Sequence, residues 1–212
     1  MPSIYQLKPA FQGFLRPAVS KLAHAGIKAN HVTVFACAGS AVLGWLIASG
    51  IENHAILLLL PPFLLLRMAF NAIDGMLARD FCQKTDLGAY LNELTDVVSD
   101  ACLYAPFAFL PIFDAVWIAV IIVLSALSEM AGVIGPMIGS RRTYDGPMGK
   151  SDRAFVFGAI AAWVGFGRHV SPWASWLLTR LIALLLVATI VNRIRSGLTR
   201  NANSGRTLFR DK

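Results

Sequence analysis

The chain has 212 residues, of which 56% are hydrophobic and only 15% charged, with a formal net charge of +7. A soluble domain carries about a quarter charged residues, and here the apolar surplus is gathered into long runs, which excludes an ordinary water-soluble globule. Those runs do not alternate apolar with polar residues, which excludes a closed β-barrel, so the expected class is an all-α integral membrane protein of one domain.

Residues 1–30 mix Lys8, Arg16, Lys21 and Lys28 with Phe11, Phe14, Leu15, Val19 and Leu22 at roughly helical spacing. The pattern predicts an amphipathic helix lying in the membrane interface, and the stretch lacks the apolar core of a signal peptide. A transmembrane domain over 31–192 follows, with six spans expected. The first runs from about His31 to Ser49, with Asn30 as its cap. The second covers about Ala55 to Ala78, with Pro61 and Pro62 placed to kink or thin it. The third runs from near Leu87 past Asp100 to about Ile112, and the fourth from Ala115 to Ile138. A polar loop, Gly139 to Arg153, leads to a fifth span over Ala154–Gly167, and Pro172 opens a sixth that ends near Val191. Residues 193–212 form a basic tail.

Basic residues crowd the N-terminal segment, the Arg79–Lys84 connection, the Arg141–Arg153 loop and the tail, while the opposite loops hold only Arg168. Positive-inside bias therefore puts both termini in the cytoplasm, in a bacterial inner (plasma) membrane. The positive charge then belongs to cytoplasmic loops and anionic headgroups, and no nucleic acid is expected, because aromatic and basic residues do not interleave. Cys37, Cys82 and Cys102 are odd in number and widely spaced, which fits reduced thiols rather than a disulfide framework or zinc site. His24, His31, His54 and His169 are scattered near interfaces, and none is expected to ligate a metal. Trp163, Trp173 and Trp176 read as interfacial anchors.

The stretch from Asn71 to Asp100 breaks the apolar rule. Arg67, Asn71 and Asp74 share one helix face, and Asn92, Asp96 and Asp100 recur every four residues on a second. Ionisable residues at membrane depth are functional by default, and two facing stripes of oxygen ligands suit a hard divalent cation that binds phosphate. A solvated helix-loop-helix at the membrane surface is the plainer alternative.

At Asn71–Asp96 the chain resembles the CDP-alcohol phosphotransferase family, whose signature is D-x2-D-G-x2-A-R-x8-G-x3-D-x3-D. Here it reads N71-x2-D74-G75-x2-A78-R79-x8-G88-x3-N92-x3-D96, with every spacing kept and two aspartates replaced by Asn71 and Asn92. Residues 16–33 also look like the family's lead-in to its first span. The resemblance implies a polar cavity open to the cytoplasm, Mg²⁺ or Mn²⁺, and a CDP-linked donor attacked by an alcohol with release of CMP. It assigns metal ligation to Asn71, Asp74, Asn92 and Asp96, and donor binding to Gly75, Ala78, Arg79 and Gly88. Asp96 takes the general-base position, with a register shifted one turn to Asp96 and Asp100 as the alternative, and Glu93 and Asp100 are placed to make up for lost charge. Arg141, Arg142, Lys150 and Arg153 lie where acceptor phosphates are held, or they are plain positive-inside charge, and Arg193 and Arg195 face the same choice.

The expected reaction moves a phosphatidyl group from CDP-diacylglycerol to a small polar alcohol such as glycerol phosphate or inositol phosphate. The alternatives are headgroup transfer from a soluble CDP-alcohol to diacylglycerol, a degenerate member that binds without reacting, and a small ion-coupled transporter. Membrane lipids are the other expected partners, and a homodimer is one assembly such a chain admits. Glu129 and Arg180, inside the fourth and sixth spans, are expected to pair, or Glu129 to serve acceptor binding, with Arg180 reaching out to the interface as the plainer alternative.

Overall fold

The computed structural model describes residues 4–208, with side chains described for 11–199; Lys8 and the tail residues 200–212 lie outside the latter. Every regular element among the described residues is helical. α1 (Ile4–His24) turns its buried Leu15 and Val19 onto Ala29, Val32, Ile73, Met76 and Leu77, while Phe14 faces outward. It ends in a Schellman turn: Gly26, at φ +76, donates to the Ala23 carbonyl and Ile27 to that of Leu22. Glycine occupies the left-handed position without strain.

α2 (Ala29–Ser49) packs along both α3 (Leu60–Asp80) and α4 (Asp86–Tyr104). Gly44 makes the α2–α4 approach possible, since a Cβ there would strike the Cys102 carbonyl. Asn30 is not the cap of α2; Lys28 holds that position two residues earlier, and the Asn30 amide points across to the Thr85 hydroxyl at 3.4 Å. Pro61 and Pro62 do not kink a helix either. They sit in the first turn of α3, behind a 3₁₀ turn over His54–Leu59, where a missing N–H leaves no hydrogen bond unmade. Thr85 caps α4, its hydroxyl accepting from the Gly88 amide at 2.9 Å, and a 3₁₀ turn at Ala105–Phe109 ends the segment earlier than expected.

α5 (Ala115–Met137) is capped by Asp114, and α6 (Lys150–Gly165) starts four residues before its expected boundary. α7 (Pro172–Leu208) runs straight through residue 193, so no helix end separates the last span from the basic tail. The core joins these helices through Tyr104 stacked on Phe157 at 4.0 Å and Phe107 edge-on to Phe157 at 5.1 Å. Outward faces carry Phe35, Trp45, Leu65, Phe155 and Trp173, the reverse of a water-soluble protein and the arrangement that lipid favours. Four helical segments are long and apolar enough to cross a membrane: Ala29–Ser49, His54–Asp80, Ala115–Met137 and Pro172–Thr199. The chain is an integral membrane protein. α4 holds Asp86, Glu93, Asp96 and Asp100, and α6 has 16 residues, so neither meets that measure.

Candidate active site

The polar residues of α3 and α4 meet at one level of the bundle. Arg67 Nη1 lies 2.5 Å from Asp100 Oδ1, and its Nη2 donates to the Asp96 carbonyl at 3.0 Å. These contacts tie α3 to α4 through one guanidinium. Asn71 and Asp74 follow Arg67 by one and two turns on α3, and Asp96 and Asn92 precede Asp100 by one and two turns on α4.

Asp74 is buried, and its Oδ2 accepts the Thr33 hydroxyl of α2 at 2.8 Å. Asp96 and Lys150 are its charged neighbours. Asp96 is half-buried, with Lys150 Nζ at 2.5 Å and Arg67 Nη2 at 3.6 Å, both on Oδ1. Asn71 and Asn92 are also half-buried, and Asn92 Nδ2 reaches Glu93 Oε1 at 3.5 Å. Oxygen donors of carboxylate and amide type in this arrangement fit a hard divalent cation. Among the described residues no cluster of three or more His, Cys, Asp or Glu presents itself as a metal site, and two positions of the stripe are amides.

Asp100 has a different setting. Arg67 holds one of its oxygens and Arg153 the other, at 2.8 Å through Nη2, and all three side chains are at most 5% exposed. Arg153 continues to Glu129 Oε1 at 2.9 Å and to the Ser128 hydroxyl at 3.2 Å. Glu129 Oε2 meets Arg193 at 3.3 Å and Arg142 at 3.7 Å, while Arg142 also pairs with Glu93 and Arg193 donates to the Ser128 carbonyl. Four buried donors of this region lack an intramolecular partner: Arg142 Nε, Arg193 Nε, the Thr143 hydroxyl and the Tyr104 hydroxyl, which lines one cavity with Asp100, Glu129 and Arg153. Buried donors of this kind are costly unless something else satisfies them.

The other expected residues fall into two groups. Gly75 faces open space, and Arg79 and Arg141 are exposed. Ala78 packs toward the α1 cluster, and Gly88 lies where a Cβ would collide with the side chains of Asn30 and Thr85. Arg195 is exposed, unlike Arg193. The anticipated Glu129–Arg180 pair does not form. α5 and α7 run parallel, so Glu129 is level with Arg193, whereas Arg180 lies about 18 Å away, flanked by Trp117 at 4.4 Å and Trp176 at 4.6 Å. Thr33 and Ser128 have no sequence signal, since hydroxyls bonding back to their own helix are common, and Thr143 is one hydroxyl among several in a polar loop. Arg67 had one, its helical spacing to Asn71 and Asp74.

A family model described as CDP-alcohol phosphatidyltransferase matches residues 27–191. Inner membrane protein YnbA of Escherichia coli strain K12 is 43% identical over 203 residues, 94% of this chain and 98% of that one. Two crystal structures of phosphatidylinositol phosphate synthase from Mycobacterium tuberculosis share the fold at 20% identity. One, with CDP-DAG bound, superposes with a TM-score of 0.70 over 86% of this chain and 92% of the other. The second, in complex with manganese and citrate, gives 0.71 over 86% and 88%.

Proposed function

The chain belongs to the CDP-alcohol phosphatidyltransferase family, and from that premise we propose that it transfers a phosphatidyl group from CDP-diacylglycerol to a small polar alcohol, releasing CMP. The observation that supports this reading is Asp96, with Asp74 as a charged neighbour, standing beside a basic cluster with unfilled donors. Mg²⁺ or Mn²⁺ held by those four side chains would neutralise the donor's diphosphate. Gly75, with open space where a Cβ would stand, lets the nucleotide reach the α3 backbone, and exposed Arg79 offers a planar fork to the diphosphate oxygens.

Asp96 is the general base in this proposal. Lys150 and Arg67 both reach its Oδ1, which leaves Oδ2 to take the proton of the acceptor hydroxyl. The hydroxyl oxygen bonds to the lipid-side phosphorus, the bond from that phosphorus to the bridging oxygen breaks, and CMP leaves. Asp100 serves as a positioning residue, since both its oxygens are engaged by Arg67 and Arg153. Arg141, Arg142, Lys150 and Arg153, joined by Arg193 and Thr143, form the acceptor side. The unpartnered Nε atoms and hydroxyl support an acceptor that carries phosphate, glycerol phosphate or inositol phosphate being candidates.

In the membrane we propose six spans, α2 to α7, with α1 in the interface and both termini cytoplasmic. On this reading 1–30 is the interfacial helix, 31–192 the catalytic domain and 193–212 the basic tail. The polar character of α4 and the shortness of α6 then reflect their part in the cavity. Its relative YnbA, an inner membrane protein, supports a bacterial inner-membrane location.

The test is CMP release by purified protein given CDP-diacylglycerol, Mg²⁺ or Mn²⁺, and a panel of polar alcohols with and without phosphate. Release that needs both the metal and one acceptor is expected. Release only with CDP-choline or CDP-ethanolamine plus diacylglycerol would reverse the roles of donor and acceptor. Silence with every pair would point to a member that binds without reacting, and solute uptake by sealed vesicles without nucleotide consumption to a transporter.

A further inference from the structure

Two of the four signature carboxylates are amides here, and a cation of the chain itself has moved in. Lys150, the first residue of α6, brings Nζ to 2.5 Å from Asp96 Oδ1. The remaining acids of the cleft are committed elsewhere: Asp100 to Arg67 and Arg153, Glu93 to Arg142, and Glu129 to Arg142, Arg153 and Arg193. Asp74, among the described residues, is the one acid of the cleft with no cationic side chain in ion-pair contact, its recorded side-chain partner being Thr33.

Charge decides what such a site can hold. Four carboxylates balance two divalent cations. Asp74 and Asp96 alone balance one, and Lys150 and Arg67 already offset part of Asp96. Asn71 and Asn92 keep their amide oxygens as neutral donors, so ligand number survives while charge is halved. Lys150 is also a suitable replacement, a compact point charge on a flexible stem.

We infer that this site takes a single divalent cation and that the Lys150 ammonium, which stands where the acceptor side borders Asp96, supplies the positive charge a second cation would bring to the donor's diphosphate. The inference rests on the transferase reading above for what the charge is used on, but it is tested by counting metal. Full-length protein in detergent is equilibrated with Mn²⁺, and bound ion is measured by electron paramagnetic resonance and elemental analysis. One Mn²⁺ per chain is expected for the wild type; zero or two overturns the inference. Lys150→Met is expected to bind Mn²⁺ about tenfold more tightly, because a competing cation has left Asp96, while Lys150→Arg binds as the wild type does. Unchanged or weaker binding by a monodisperse Lys150→Met protein also overturns it. The triple change Asn71→Asp, Asn92→Asp, Lys150→Met is expected to take two ions, and if it fails to fold the wild-type count still decides. CMP release on the same preparations separates the two readings. Two ions with turnover refute the charge replacement alone, and one ion without turnover refutes the transfer reaction alone.

Discussion

Asp96 and Asp100 stand one helical turn apart on α4 and have different surroundings. Asp100 sits between two guanidinium groups that are as buried as it is, so removing its charge strands both. Breaking a buried pair by deleting one partner costs about 3–5 kcal/mol. Asp100→Asn should therefore lower the unfolding temperature in detergent sharply and reduce CMP release only with that loss of fold. Asp96→Asn should leave the melting temperature nearly unchanged and cut kcat about 10²–10⁴-fold, the range of a lost general base. A stable, inactive Asp100→Asn protein would put the base there instead. Asp74→Ala should abolish turnover with its fold kept, checked by the same pair of assays. Asn71→Asp should remain active, since it restores a signature carboxylate.

Among the elements, α2 holds the site helices at their spacing. It touches α3 through Thr33 at the Asp74 level and α4 through Gly44 and Asn30. A methyl group at Gly44 would meet the Cys102 carbonyl, which is backbone and cannot step aside. Gly44→Ala should therefore cost about 1–3 kcal/mol, the usual range for overpacking, seen as a lower melting temperature. Gly75→Ala meets nothing in the protein. Its melting temperature should stay at the wild-type value while KM for CDP-diacylglycerol rises, if the nucleotide uses that space.

For the molecule as a whole, the orientation is open to a chemical test. Cys82 is exposed in the connection between α3 and α4, whereas Cys37 and Cys102 are partly buried in the helices. A membrane-impermeant maleimide should label Cys82 in inverted vesicles and leave it unlabelled in right-side-out ones. Labelling from the outside would invert the proposed topology and put the site on the other face of the membrane.

How much was legible in the linear chain follows from range. Membrane class, helical elements and the spaced motif were readable because they depend on composition and on neighbours three or four residues apart. Lipid forces backbone hydrogen bonds into the segment itself, so apolar runs report helices directly. Small misplacements, Asn30 as a cap and Pro61 and Pro62 as a kink, arose where a terminus shifted by two residues or a 3₁₀ turn intervened. Pairing needed the tertiary structure. Nothing local says that Arg153 bridges Asp100 and Glu129, or that Lys150 stands on Asp96, partners separated by 24 to 54 residues. The direction and stagger of packed helices decide which charges share a level. That stagger sends Arg180 to its tryptophans and brings Arg193 to Glu129.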